Sequence, residues 1–203
     1  MKLAHPRFYF SFRSPYSWIG ARLLEEEYNP KRSGIEYIPF WEPDKLSLEL
    51  LTTKGGKFLY TPMSREKHFY ILQDIKRITS KLGYSMSWPI DSQPWWEMPH
   101  LAYLAARRQG KQHEFFWAVY QARWERGENI CSVETIRNVA VEVGLPPDQI
   151  AAAPYDASIR EEGAEMLYKV YRDGVFGVPF FIVGHEKFWG IDRLDDFKLV
   201  LAK

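Results

Sequence analysis

What most limits the fold of this chain is the placing of its strand-like segments, which lie at the two ends and are separated by a long helical stretch. Residues 7–12 read RFYFSF, a short aromatic run followed by a Ser-Pro turn, and predict a buried strand. Pro15 stands where proline is best tolerated, in the first turn of a helix expected from about Tyr16 to Tyr28. Ser14 then falls at or just before the N-cap. Gly34 punctuates, residues 35–40 (IEYIPF) read as a second strand, and a loop follows through Trp41, Glu42 and Pro43. The amino end is therefore β-α-β.

From about residue 64 to residue 171 the pattern is helical, with glycines where helices should stop. Ile71, Ile75, Ile78 and Leu82 precede Gly83; Leu101, Leu104 and Ala105 precede Gly110. Phe116, Val119, Tyr120 and Trp124 share one face before Gly127, and Ile136, Val139, Ala140 and Val143 end at Gly144. Asp156 is placed to cap a helix carrying Ile159, Leu167 and Val170, which stops at Gly174. Such stripes are core-facing surfaces of packed helices. Sheet returns after Gly177, with residues 179–183 (PFFIV) as a strand, a tight turn, and residues 187–189 as a short partner. Asp192 is expected to cap a last helix that turns Leu194, Phe197 and Leu201 inward. The simplest architecture is one α/β domain made of residues 1–62 and 172–203, with a helical domain, residues 63–171, inserted into it.

Composition removes several functions. Lys and Arg number 27 against 26 Asp and Glu, a net charge of +1, so nothing draws the chain broadly to nucleic acid or an anionic membrane. No run of about 18 apolar residues marks a membrane span, and the first residues show neither an apolar signal core nor a cleavage site, so the cytoplasm is the expected compartment. Cys131 is the single cysteine, which excludes an intramolecular disulfide and a thiol metal cluster. It reads as a small residue at a helix start. His5, His68, His100, His113 and His185 lack metal-ligand spacing, and no Gly-rich phosphate loop or G-x-S-x-G elbow occurs.

The corner Ser14-Pro15-Tyr16-Ser17 is the place where chemistry can sit. A hydroxyl at a helix N-terminus is commonly a cap. The same position also gathers free backbone N–H groups and the positive end of the helix dipole, which favour an anion and lower the pKa of a thiol. Ser14 has no redox chemistry of its own, but it can donate a hydrogen bond to another molecule's sulfur.

The runs FYFSFRSPYSW and GVFGVPFFIVGHEKFWGIDRL resemble the family of 2-hydroxychromene-2-carboxylate isomerases and kappa-class glutathione transferases, a DsbA-like branch of the thioredoxin fold. The resemblance covers essentially the whole chain. It implies an α/β, thioredoxin-like fold with a large all-helical insertion, in which the Ser-Pro-x-Ser corner takes the place of the C-x-x-C motif of disulfide oxidoreductases. It implies glutathione as cofactor, with Ser14 hydrogen-bonding its sulfur and holding it as thiolate. Val178-Pro179 would form a cis-proline corner where the Val178 backbone pairs with the glutathione backbone. Asp192 would receive the γ-glutamyl amino group, and the backbone N–H groups at Asp192 and Arg193 would meet its carboxylate. Lys67 would contact the glycine carboxylate. Ile191 stands where members commonly carry Asn or Ser, so one hydrogen bond worth about 0.5–1.5 kcal/mol would be missing. Arg13 replaces a residue that is usually apolar, and reads either as a partner for an acidic substrate or thiolate or as a surface arginine.

The function so implied is a glutathione-dependent isomerase of a conjugated aromatic keto acid or chromene carboxylate, working by thiolate addition, bond rotation and elimination. A kappa-type glutathione transferase or peroxidase is an alternative, and so is a non-catalytic thioredoxin-like binding protein. The expected partners are a small aromatic substrate and a second copy in a homodimer, with no nucleic acid and no membrane. Trp41, Trp88, Trp95 and Trp96 would suit a flat acceptor at the mouth of the site, or else pack the joint between the two domains.

Overall fold

Residues 8, 9 and 10 are all fully buried, so the first strand must be covered on both faces. The computed structural model describes residues 5–28 and 34–202; of the expected sheet domain, residues 1–4, 29–33 and 203 lie outside them. Strand β1 (Arg7–Phe10) pairs in parallel with β2 (Glu36–Pro39), Phe8 opposite Tyr37. On its other side it pairs antiparallel with β3 (Phe180–Val183), Phe8 opposite Phe181, and β3 pairs antiparallel with β4 (Glu186–Trp189). The sheet order is β2-β1-β3-β4. Helix α1 (Pro15–Glu25) crosses between the two parallel strands, as parallel pairing requires.

Between β2 and β3 the described residues form helices: α2 (Lys45–Thr53), α3 (Arg65–Leu82), α4 (Glu97–Arg108), α5 (Gln112–Tyr120), α6 (Val133–Glu142), α7 (Pro147–Ala151) and α8 (Ala157–Arg172). Helix α5 runs on into a π turn, Gln121–Glu125, and a 3-10 turn, Ala153–Tyr155, precedes α8. After β4 come a 3-10 turn, Ile191–Arg193, and α9 (Leu194–Leu201). Among the described residues no helix is long and apolar enough to cross a membrane.

The period-2 alternation of the strands divides the core. Tyr9, Ile38, Phe180 and Ile182 share one face with Val170 of α8 and Val175. Phe8, Phe10 and Phe181 share the other with Trp18 and Ile19 of α1 and Phe197 of α9. Phe8 stacks on Phe181 at 4.9 Å, and Phe181 lies 5.0 Å from Phe197. The same face reaches the helical stretch without a break: the Phe10 ring meets Tyr103 at 5.3 Å and Phe116 at 4.8 Å. The helices between the strands thus complete the sheet's own core.

Two local expectations need correcting. Helix α1 ends at Glu25, three residues short of the expected stop, although the Tyr28 N–H still bonds the Leu24 carbonyl at 3.0 Å. Asp192 does not cap the last helix. It lies inside the 3-10 turn, and α9 begins after Arg193, which makes no side-chain cap bond. The Asp192 carboxylate folds back over Gly190 instead, where a Cβ would stand 2.6 Å from Oδ1 and where φ is +92°. Only glycine suits that backbone.

Candidate functional site

Four residues, Ser11 to Ser14, connect the end of β1 to α1, and their polar groups are held closely. Ser14 is the N-cap of α1: its Oγ accepts from the Ser17 N–H at 3.1 Å, with Pro15 in the first helical position. The Ser14 N–H donates to the Ser11 carbonyl at 3.0 Å. The Ser11 N–H donates to Ser17 Oγ, and the Arg13 N–H to Ser11 Oγ, both at 3.3 Å. From α5, the Tyr120 hydroxyl donates to the Ser11 carbonyl at 3.2 Å. A hydroxyl carries one donor and two acceptor sites, so the bond Ser14 accepts leaves its own proton to be given to a ligand. Ser14 is half-buried, and the positive end of α1 lies beside its oxygen.

The structure brings Pro179 and Ile191, the neighbour of Asp192, against the middle of α1. A Cβ placed on Gly20 would meet Pro179 and Ile191 at 3.5 Å, ordinary van der Waals contact, so both residues rest against the helix there. The Val178–Pro179 peptide is cis, and the Pro179 carbonyl accepts from the Gly190 N–H at 3.0 Å. Asp192 and Arg193 follow directly and are exposed. Arg193 Nη1 reaches its neighbours only weakly, 3.5 Å from the Asp192 carbonyl and 3.8 Å from the Asp196 carboxylate.

Lys67 is farther along the chain, in the first turn of α3, exposed, its N–H donating to Ser64 Oγ at 3.3 Å. Ser64, Arg65 and His68 of the same turn line a cleft of about 410 Å³ together with Tyr60, Glu42 and Arg13, the neighbour of Ser14. Lys67 itself is not among the lining residues. Helix α3 is tied to α1 by the Tyr16 hydroxyl, which donates to Asp74 at 2.6 Å, and burial followed by that bond pushes the Tyr16 pKa up. Arg13 is both paired and stacked, its Nη1 3.2 Å from Glu42 and its guanidinium 5.4 Å from the centre of the Trp96 ring.

Trp41 and Trp96 do not stand at a mouth: they are 1% and 6% exposed. Trp95 is half-buried and donates to Asp44 at 3.1 Å, while Trp88 is exposed and meets Trp124 edge-on at 5.6 Å. The buried pair serve packing. Trp41 donates through Nε1 to Glu97 at 2.8 Å and stacks on His100 at 5.4 Å with 15° between the planes.

The sequence reading passed over this group. Glu97 is wholly buried, accepts also from the Asp44 N–H at 2.8 Å, and lies 3.8 Å from Arg160. Burial pushes its pKa up to about 7, against the lowering effect of the Asp44 N–H. At Asp44 burial is outweighed by bonds from Ser47, Arg160 and Trp95, and its pKa is lowered. His100, also wholly buried, accepts at Nε2 from the Phe12 N–H at 3.2 Å and bonds the Trp96 carbonyl through Nδ1 at 2.7 Å. Burial takes its pKa down to about 3, so the imidazole is neutral. A signal was present, since His100 shares the apolar stripe of Leu101 and Leu104. Cys131 is half-buried just before α6, and burial pushes its thiol up to about 12, far from a reactive thiolate.

The family model of the DSBA-like thioredoxin domain matches residues 7–202. The chain is 28% identical over 193 residues to a 2-hydroxychromene-2-carboxylate isomerase of Sphingobium xenophagum, covering 93% of each chain. A solved structure of a 2-hydroxychromene-2-carboxylate isomerase superposes with a TM-score of 0.73 at 21% identity, over 97% of this chain and 94% of the other. That of a probable DsbA oxidoreductase from Streptomyces coelicolor gives 0.68 at 16% identity, over 97% and 88%. The fold is accordingly thioredoxin-like, an α/β sheet carrying a large helical insertion. The family match takes in both ends of the sheet and all the helices between them, so this chain belongs to the DsbA-like thioredoxin domain family.

Proposed function

We propose that this protein is a glutathione-dependent isomerase of a conjugated aromatic keto acid or chromene carboxylate. The observation that carries the reading is the Ser14 hydroxyl, fixed as the N-cap of α1 by the Ser17 N–H at 3.1 Å with its proton left to donate. The corner holds no cysteine, so on this reading the thiol comes from outside the chain. Likeness to the Sphingobium isomerase points the same way.

The residues fit glutathione in three respects. The half-buried N-terminus of α1 suits a thiolate. Exposed Asp192 offers a carboxylate for the amino group of the γ-glutamyl end, with the Arg193 N–H, held by the Gly190 carbonyl at 3.4 Å, beside it, and exposed Lys67 offers an ammonium for the glycine carboxylate. The Val178 backbone, beside the cis bond to Pro179, would pair with the peptide between them. Bound glutathione would supply a thiolate that adds to an activated double bond and leaves again after the resulting single bond has turned.

The chain's own part is electrostatic. Ser14 donates its proton toward the sulfur, and the α1 dipole favours the charged form, which raises the thiolate fraction at neutral pH. Holding glutathione by both ends places that sulfur in one position, so that reaction with a second bound molecule needs little further ordering.

The reading is tested by titrating the protein with reduced glutathione in a calorimeter, then following substrate and thiol together. Saturable binding, with turnover that returns glutathione unchanged, is the expected result. Stoichiometric loss of glutathione would identify a transferase instead, and absence of binding would remove glutathione from the account.

A further inference from the structure

Of the four backbone N–H groups in the turn before α1, three are bonded within residues 11–17: those of Ser11, Arg13 and Ser14. The fourth, on Phe12, crosses to the helical stretch and ends on His100 Nε2 at 3.2 Å. We propose that His100 is a positioning residue for Ser14, acting through the Phe12 N–H to hold the turn that presents the serine hydroxyl. The proposal deepens the glutathione reading and rests on it for its catalytic consequence.

The bonding around His100 determines the position of its hydrogen. The Trp96 carbonyl can only accept, so Nδ1, 2.7 Å away, carries the proton. The Phe12 N–H can only donate, so Nε2 presents its lone pair. Ser11 Oγ lies 3.4 Å from the same nitrogen. The plane of the ring is held as well: Trp41 stacks on it at 5.4 Å, itself anchored to Glu97 at 2.8 Å, and the Phe12 ring tilts against it at 5.2 Å. Trp96, Glu97 and His100 belong to one turn at the start of α4. That turn grips the chain leaving β1 through His100 and the chain leaving β2 through Glu97.

Loss of the acceptor would leave the Phe12 N–H buried without a partner, and the turn would shift to recover one. Ser14 lies two residues on, so its hydroxyl and the α1 N-terminus would move relative to Pro179 and Ile191. A small displacement of a catalytic donor lowers rate far more than it lowers binding. A histidine with a packing role alone would alter stability and leave the properties of a bound thiol unchanged.

Two variants separate these roles. His100→Phe keeps a stacking ring and removes the acceptor, whereas His100→Gln returns an acceptor oxygen. In the ligand-free protein the Phe12 amide should exchange with solvent about tenfold faster in H100F, the effect of one lost hydrogen bond, and recover in H100Q. In the protein loaded with reduced glutathione, the ultraviolet titration of the bound thiol should move upward and kcat should fall more than KM rises, again only in H100F. A folded H100F with parental Phe12 exchange, thiol titration and kcat overturns the proposal. So does an equal loss in both variants. Should H100F not fold, nitrogen NMR of the parent decides: the neutral Nδ1–H form across the neutral pH range supports the proposal, and an imidazolium or an Nε2–H form refutes it. A parent that ignores glutathione would sink the functional reading, while amide exchange would still decide whether His100 holds the turn.

Discussion

The two corners that border α1, one at its N-terminus and one beside Gly20, are built differently. At the Ser14 corner every backbone N–H from Ser11 to Ser14 has a partner, and two residues of the helical stretch, His100 and Tyr120, brace it from behind. At the Ile191–Arg193 corner a 3-10 turn lies on the surface, uncapped, its two charged side chains exposed. The contrast teaches a division of labour. A group that must stabilise developing charge benefits from fixed geometry, whereas one that grips a flexible ligand end tolerates freedom.

Ser14→Ala gives the largest expected effect. It withdraws a charge-assisted bond of about 1.5–3 kcal/mol from the thiolate. Because 1.36 kcal/mol corresponds to one pKa unit, the bound thiol should titrate about one to two units higher in ultraviolet absorption. Turnover should fall, recovering in part at high pH, while glutathione affinity is largely kept; parental titration and turnover would make Ser14 a helix cap alone.

Glu97 tests the bracing from behind. Its pKa rises on folding from 4.5 to about 7, so between those values the native state binds more protons than the unfolded one. Its contribution to stability is therefore full below pH ~4.5 and is lost as pH rises through about 7. Glu97→Gln should flatten that part of a curve of melting temperature against pH; an unchanged slope would mean the carboxyl is ionised throughout.

At the looser corners the effects should be severalfold and confined to binding. Lys67→Ala should raise the half-saturating glutathione concentration with little change in kcat, since a remote carboxylate contact serves ground and transition states alike. Equal affinity in variant and parent removes Lys67 from the site. Ile191→Ser should act in the opposite direction: one added hydrogen bond of about 0.5–1.5 kcal/mol should tighten glutathione severalfold in calorimetry, and weaker binding would show that Ile191 matters through its contact with α1. Cys131→Ser should have the smallest effect. With its thiol pushed up to about 12, steady-state turnover should be unchanged, and loss of activity in a folded variant would contradict a thiol supplied from outside.

The sequence disclosed what depends on near neighbours. Ser14 as cap and Pro15 in the first helical position follow from four consecutive residues, and the strands at both ends follow from short aromatic runs. Asp192 was misread because a 3-10 turn and a helix make the same demand on sequence, and the folding back of its carboxylate depends on the backbone at Gly190. Trp41 and Trp96 leave a mouth and a packed joint both open, because tryptophan suits a binding surface as well as a core. The place of His100 on an apolar helical stripe is legible locally, but its partner at Phe12, 88 residues away, is not.

Gly20 carries no functional group, yet it is where α1 faces both Pro179 and Ile191. A methyl group there would meet Pro179 and Ile191 at 3.5 Å, ordinary contact, so alanine fits; a longer side chain has to push one of the two walls outward. Between α1 and these two residues there is thus room for a methyl group and little more. A residue without any reactive group thus marks where the cis-proline corner and the Ile191 turn lean on the same helix.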